Sequence, residues 1–229
     1  MNPSPVILAL DVESAAEART LIAALGDTAS FYKVGLELYT SAGMDFVREL
    51  KAQGKRVFLD LKLYDIGETV RRATAQVARA GADFLSIHGS QAVMQAAAAG
   101  KQNEAGTLKL LAVTVLTSFD ETDLKQLGYP CSVSDLVELR VRNARAAGVE
   151  GIVCSPLEVA RVRAIAGPDA ILVTPGVRSA GAASGDQKRV ATPAEAMANG
   201  ANYLVIGRQI TRASDPRGEM LRVLEELGQ

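Results

Sequence analysis

The run FLDLKLYDIGET, residues 58–69, carries Asp60, Lys62, Asp65 and Glu68 within or just beyond an otherwise apolar segment. Charges in apolar surroundings are costly unless they are paired. Two more runs share the feature: Asp11 ends VILALD, and Lys33 sits inside FYKVGLEL. Alternate residues of a strand share a face. In RVFLDLKLY, Val57, Leu59, Leu61 and Leu63 form a face suited to packing under helices, while Phe58, Asp60 and Lys62 form the other. In FYKVGLEL, Phe31, Lys33, Gly35 and Glu37 oppose Tyr32, Val34, Leu36 and Leu38. In the first run, Ile7, Ala9 and Asp11 share a face that ends on a carboxylate. Three adjacent strands patterned this way send Asp11, Lys33, Asp60 and Lys62 into one space. A structural ion-pair network is the weaker account, because apolar residues of similar volume would be as stable or better. Clustered, fixed charges point instead to catalysis.

A second charged feature lies near the other end of the chain. YLVIGRQI places Gly207 and Arg208 at the end of a strand. Glycine lets backbone N–H groups approach an oxyanion, and arginine supplies a forked donor for it. Arg178 and Gln187 lie on a long Gly-, Ala- and Ser-rich segment, VRSAGAASGDQKRV (177–190), expected to close over the same group as a mobile loop. The plain alternative for Arg208 is a surface residue capping a strand end.

The elements that must hold these residues alternate regularly. Strand candidates are PVILALDV, FYKVGLEL, RVFLDLKLY, FLSIH, LKLLAVTVL, GIVCS, AILVTPG and YLVIGR. Between them lie SAAEARTLIAAL, TSAGMDFVRELKAQ, IGETVRRATAQVARA, SQAVMQAAAA, SVSDLVELRVRNARAA, PLEVARVRAIA, TPAEAMAN and DPRGEMLRVLEEL, all with helical patterning. Several helices end in glycine, the expected residue where a helix turns into the next strand. Alternating β and α units give a parallel sheet. Eight units in 229 residues favour a closed (β/α)8 TIM barrel, an α/β fold, over an open sheet. Residues 1–229 are expected to form one domain. In this fold sites lie at the C-terminal ends of the strands, where the charges fall, and phosphate is often bound after strands seven and eight.

The composition narrows the function classes. A net charge of −1 argues against a general nucleic-acid binder. No apolar run is long enough to span a bilayer, so no membrane role is expected. The N-terminal MNPSPVILALDVES lacks a basic leader and reads as a first strand. Cys131 and Cys154 fit no zinc spacing, and a reducing cytoplasm is the expected location. His88, the only histidine, ends the fourth strand. It is expected to be structural, although contact with the site or with a second subunit is open to it.

These motifs together resemble the orotidine 5′-phosphate decarboxylase family, in its bacterial form. D-L-K-L-Y-D-I-G-E-T is similar to the family's D-x-K-x-x-D-I-x-x-T signature. L-A-L-D, Y-K-V-G, T-P-G-V-R, D-Q-K-R and I-G-R also stand in order from Leu8 to Arg208. Gly67 departs from the proline of many members, in a turn. The resemblance implies conversion of orotidine 5′-monophosphate to uridine 5′-monophosphate and carbon dioxide, the last step of UMP synthesis, with no metal and no organic cofactor. It implies Lys62 as proton donor to C6, Asp60 near the departing carboxylate, and Lys33 completing the array. Asp65 would reach the site from the second subunit of a homodimer, with Ile66 and Thr69 beside it. Asp11 and Lys33 would hold the ribose hydroxyls and Thr117 the pyrimidine. Pro175, Arg178, Gln187, Gly207 and Arg208 would complete the substrate contacts, the last four at the phosphate end.

The chemistry agrees with these roles. Loss of carbon dioxide from C6 leaves an electron pair in the ring plane, poorly delocalised into the ring carbonyls. A fixed ammonium group beside that carbon stabilises the charge and then delivers a proton. A magnesium-dependent relative on the same barrel, such as 3-keto-gulonate 6-phosphate decarboxylase, carries a glutamate for the metal where Lys33 stands, and a lysine there repels a divalent cation. A ribulose-phosphate epimerase would need several histidines. A phosphate-binding barrel without catalysis would have no use for the Asp60–Lys62 pair.

Overall fold

The computed structural model describes residues 4–102, 104, 106–179 and 191–229. Eight parallel strands close in sequence order into a barrel, β1 pairing with β8 through Val6↔Leu204. The strands are β1 (Val6–Ala9), β2 (Phe31–Gly35), β3 (Arg56–Leu63), β4 (Phe84–His88), β5 (Lys109–Val113), β6 (Gly151–Val153), β7 (Ile171–Thr174) and β8 (Tyr203–Ile206). The helices are α1 (Ala15–Leu25), α2 (Leu36–Ala52), α3 (Gly67–Arg79), α4 (Gln91–Lys101), α5 (Glu121–Gln126), α6 (Val133–Ala146), α7 (Val159–Ala166), α8 (Pro193–Ala198), α9 (Arg208–Thr211) and α10 (Pro216–Glu226). Among the described residues no helix is long and apolar enough to cross a membrane.

The two-residue period of the strands sorts their side chains into two cores. Ile7, Ala9, Phe31, Phe58, Phe84, Leu111, Val173 and Val205 fill the barrel interior. Phe31 and Phe84 meet edge to face with centroids 5.1 Å apart, and the Arg56 guanidinium lies 4.0 Å over the Phe31 ring. Each buried phenylalanine contributes roughly 1.5–3 kcal/mol by leaving water. The alternate positions, such as Leu8, Tyr32, Val34, Val57, Leu59, Leu85 and Ile87, pack outward under the helices. The lower interior is thus plugged with hydrocarbon, which leaves the upper mouth as the place for polar groups.

Helix starts follow local capping chemistry. Ser14 accepts from Glu17 N–H at the head of α1, and Thr192 and Glu195 form a reciprocal cap ahead of Pro193 in α8. The expected second strand FYKVGLEL is corrected: β2 stops at Gly35, and α2 begins at Leu36. Leu36, expected under the helices, is 67% exposed, and Glu37 enters the mouth from the first turn of α2 instead of a strand. Position 35 itself favours glycine, since a Cβ there would lie 2.9 Å from Lys33 Nζ and 3.1 Å from Asp11 Oδ1. The first, fifth, sixth, seventh and eighth strands are also shorter than expected, ending at Ala9, Val113, Val153, Thr174 and Ile206, and the third ends one residue early at Leu63. Their last residues turn into loops at the mouth. Two short helices, α5 and α9, were not expected. The first is started by the reciprocal Asp120–Asp123 cap, and the second carries Arg208 as its first residue. The expected closing loop lies, from residue 180 to residue 190, outside the described residues, and Gln187 with it.

Candidate active site

Lys33 rises from the middle of β2 and is only 8% exposed. Its Nζ lies 2.8 Å from Asp11 Oδ1 and 3.6 Å from Asp60 Oδ2. Lys62 Nζ donates to both Asp60 oxygens, at 2.9 and 3.0 Å. Asp60 therefore sits between two ammonium groups and accepts a third bond from Ser86 Oγ at 2.7 Å. Burial alone would raise the Asp60 pKa, but Lys33, Lys62 and Ser86 outweigh it and hold the carboxyl below its usual range. Burial likewise works against charge on Lys33, yet Asp60 and Asp11 outweigh it and raise its pKa. Asp11, Lys33, Asp60 and Lys62 form a chain in which acidic and basic side chains alternate.

The backbone under Lys62 is irregular. Lys62 has φ 50, the one non-glycine residue with positive φ among the described residues. That left-handed conformation costs an L-residue roughly 1–2 kcal/mol. It coincides with a register shift between β3 and β4: Leu59 faces Leu85, but Leu63 faces Ile87. The Lys62 N–H donates to Ser86 Oγ at 2.9 Å. Such bulges beside a site re-aim a side chain.

The array forms one wall of a cleft of about 450 Å³, in the range of small-ligand sites. Thr117, Ser118, Cys154, Pro175, Gly176, Arg178, Gly207 and Arg208 also line it. Cys154 is 1% exposed, a core thiol at the cleft floor. Arg178 is anchored by its guanidinium to Val177 O at 2.7 Å and by its own N–H to Ala191 O at 3.0 Å. Burial, and then the nearby charge of Arg208, lower its pKa. Gly207 is close-packed, since a Cβ there would lie 3.3 Å from Ala9 Cβ.

The structure thus brings together Asp11, Lys33, Asp60, Lys62, Thr117, Pro175, Arg178, Gly207 and Arg208. It does not bring Asp65, Ile66 or Thr69 into the cleft of their own chain. All three are exposed around the start of α3, Ile66 at 73%, and the Asp65 carboxylate accepts its neighbour Ile66 N–H at 2.6 Å. Ser86, Ser118 and Arg212 were missed. Ser86 had a signal, because in FLSIH it shares the inner face with Phe84. Arg212 had none, because its position depends on the unforeseen α9.

His88 does not line the cleft. Its ring stacks on Tyr64 at 4.1 Å, and its buried Nδ1 has no hydrogen-bond partner among the described residues. Burial, with a smaller effect from the Arg140 charge, lowers its pKa from 6.5 to about 4. Between those values the unfolded chain binds a proton that the folded chain refuses, so His88 destabilises the fold as pH falls from 6.5 to about 4. His88→Phe keeps the stacking and should flatten the dependence of the denaturant midpoint on pH across that window. An unchanged slope would assign the acid sensitivity to carboxylates.

The model of the Orotidine 5'-phosphate decarboxylase / HUMPS family matches residues 4–223. An orotidine 5'-phosphate decarboxylase of Caulobacter sp. (strain K31) is 52% identical over 228 residues, 99% of each chain. One of Rhodopseudomonas palustris (strain BisA53) is 50% identical over 222 residues, 97% of this chain and 94% of the relative. The crystal structure of the orotidine 5'-phosphate decarboxylase from Lactobacillus acidophilus superposes with a TM-score of 0.87 at 33% identity, covering 99% of this chain and 100% of that one. With sequence and backbone matched along nearly its whole length, the chain belongs to the orotidine 5'-phosphate decarboxylase / HUMPS family.

Proposed function

We propose that the chain decarboxylates orotidine 5′-monophosphate to uridine 5′-monophosphate and carbon dioxide, with Lys62 as proton donor and without a metal or organic cofactor. The observation that carries this is the difference between the two lysines of the array. The Lys33 side chain is 10% exposed and sealed between two carboxylates, whereas the Lys62 side chain is 42% exposed toward the cleft. Lys33 holds the array; Lys62 meets the ligand. As the C6–carboxylate bond breaks, its electron pair stays on C6 and the Lys62 ammonium is the nearest fixed positive charge. It then transfers a proton to C6 and is reprotonated from water. Asp60, locked by Lys33, Lys62 and Ser86, fixes the direction of that ammonium group. Asp11, Lys33 and Thr117 all line the cleft, and the first two are assigned to the ribose hydroxyls and Thr117 to the pyrimidine.

A divalent cation fits this donor set poorly. The space between Asp11 and Asp60 is filled by Lys33 Nζ, at 2.8 and 3.6 Å from their oxygens. The test is loss of orotidine monophosphate absorbance with excess chelator present. Turnover is expected; no turnover would sink the proposal, and turnover abolished by chelator would favour a metal-dependent reaction.

Arg178, Gly207 and Arg208 are assigned to the phosphate, with Gln187 alongside from the loop. Arg208→Ala should weaken UMP by about 10²-fold, the scale of lost charge-assisted hydrogen bonds, and uridine far less. Titration of both ligands checks this, and equal losses would move the phosphate elsewhere. The active unit is proposed to be a homodimer of one-domain subunits, residues 1–229, working in the cytoplasm. Its support is the outward position of Asp65, Ile66 and Thr69, exposed in their own chain and free to enter a neighbour's cleft.

A further inference from the structure

We propose that Ser86 is a positioning residue for the reaction: its single hydroxyl sets the geometry in which Lys62 delivers a proton. This rests on the assignment of Lys62 as donor. The β3–β4 ladder is regular at Phe58↔Phe84 and Leu59↔Leu85 and resumes at Leu63↔Ile87. Four residues of β3 advance against two of β4, so Asp60, Leu61 and Lys62 gather around Ser86. The bulge takes the Lys62 N–H to Ser86 Oγ, at 2.9 Å. The hydroxyl has one proton, and that goes to Asp60 Oδ1 at 2.7 Å. One oxygen atom therefore holds both ends of the reacting pair, the left-handed backbone of Lys62 and the rotation of the Asp60 carboxylate.

Ser86 is 0% exposed and lies on the interior face, where Phe84, Phe58 and Leu111 fill the same space with hydrocarbon. A serine has no packing advantage among them; its value there is the hydroxyl. Without it, the Lys62 N–H loses its acceptor, and Asp60 keeps only the two ammonium groups, between which it is free to turn. Substrate binding would survive, because no atom of Ser86 lines the cleft. The chemical step would not, because proton delivery depends on sub-ångström placement.

Ser86→Ala should lower kcat about 10²-fold, while KM and the affinity for UMP stay within about threefold of wild type. Ser86→Thr and Ser86→Val have one shape and differ in the hydroxyl alone, so Thr should retain a kcat about tenfold or more above Val. This pair decides the matter if the alanine variant does not fold. Wild-type kcat in Ser86→Ala, or equal kcat in the Thr and Val variants, would overturn the proposal. Hydrogen exchange of the Lys62 amide needs no substrate: it should be slow in the wild type and Thr variant, and fast in Ala and Val. Equal protection in all four would overturn it too. A wild-type protein that fails to decarboxylate orotidine monophosphate would sink the decarboxylase proposal, whereas amide protection that does not follow the hydroxyl would sink the role of Ser86.

Discussion

Lys62→Ala is expected to lower kcat by about 10⁴-fold or more, since on the proposed mechanism it removes a general acid and a fixed transition-state charge together. Each factor of ten corresponds to about 1.4 kcal/mol of barrier, so the loss is about 5–6 kcal/mol. The fold should survive. The Lys62 side chain is 42% exposed and fills no part of either core. Asp60 is not stranded, because Lys33 and Ser86 remain against its carboxylate. UMP has no carboxylate at C6, and its proposed phosphate contacts with Arg178, Gly207 and Arg208 do not involve Lys62, so it should still bind. Stopped assays with orotidine monophosphate, thermal melts and UMP titration separate these effects. Residual turnover within about tenfold of wild type would remove Lys62 as the donor.

Mixing the inactive Lys62→Ala and Asp65→Ala proteins should regenerate about a quarter of wild-type activity. In a two-fold symmetric dimer with free exchange, half the dimers are hybrids, and each hybrid contains one intact site of two. The prediction follows from where Asp65 lies. It is three residues beyond Lys62 and past the end of β3, and its carboxylate caps its own neighbour Ile66, outside the cleft. Tyr64 and Ile66 flank it, at 69% and 73% exposure, as apolar surface suited to burial against a second subunit. Subunit exchange is followed with a size or affinity tag. Exchange without recovered activity would restrict each site to one chain.

Much of this was legible in the amino-acid sequence because strand periodicity is a local property. Alternation in VILALD, FYKVG and RVFLDLK assigns Asp11, Lys33, Asp60 and Lys62 to the inner face whatever the rest of the chain does. The order of β and α units then closes the barrel, and β1, β2 and β3 become neighbours. Gly207 and Arg208 fall at the mouth by the same logic. Periodicity does not say where a strand stops. FYKVGLEL alternates through Leu38, but the strand ends at Gly35 and the chain turns into α2.

Only the tertiary structure decided how the charges are shared. From sequence alone, Asp60 and Lys62 lie two apart on a regular strand. In the fold that strand is broken by a register shift, Lys62 is left-handed, and a serine from β4 is bonded to both residues. Which lysine is sealed and which is open depends on contacts across three strands, and so does the depressed pKa of Asp60. Arg212 and Ser118 join the cleft through loops and a short helix whose positions no local pattern encodes. Local backbone chemistry determines the face on which a residue lies; its partner, and hence its charge state and aim, comes from segments remote in sequence that packing brings within hydrogen-bond distance.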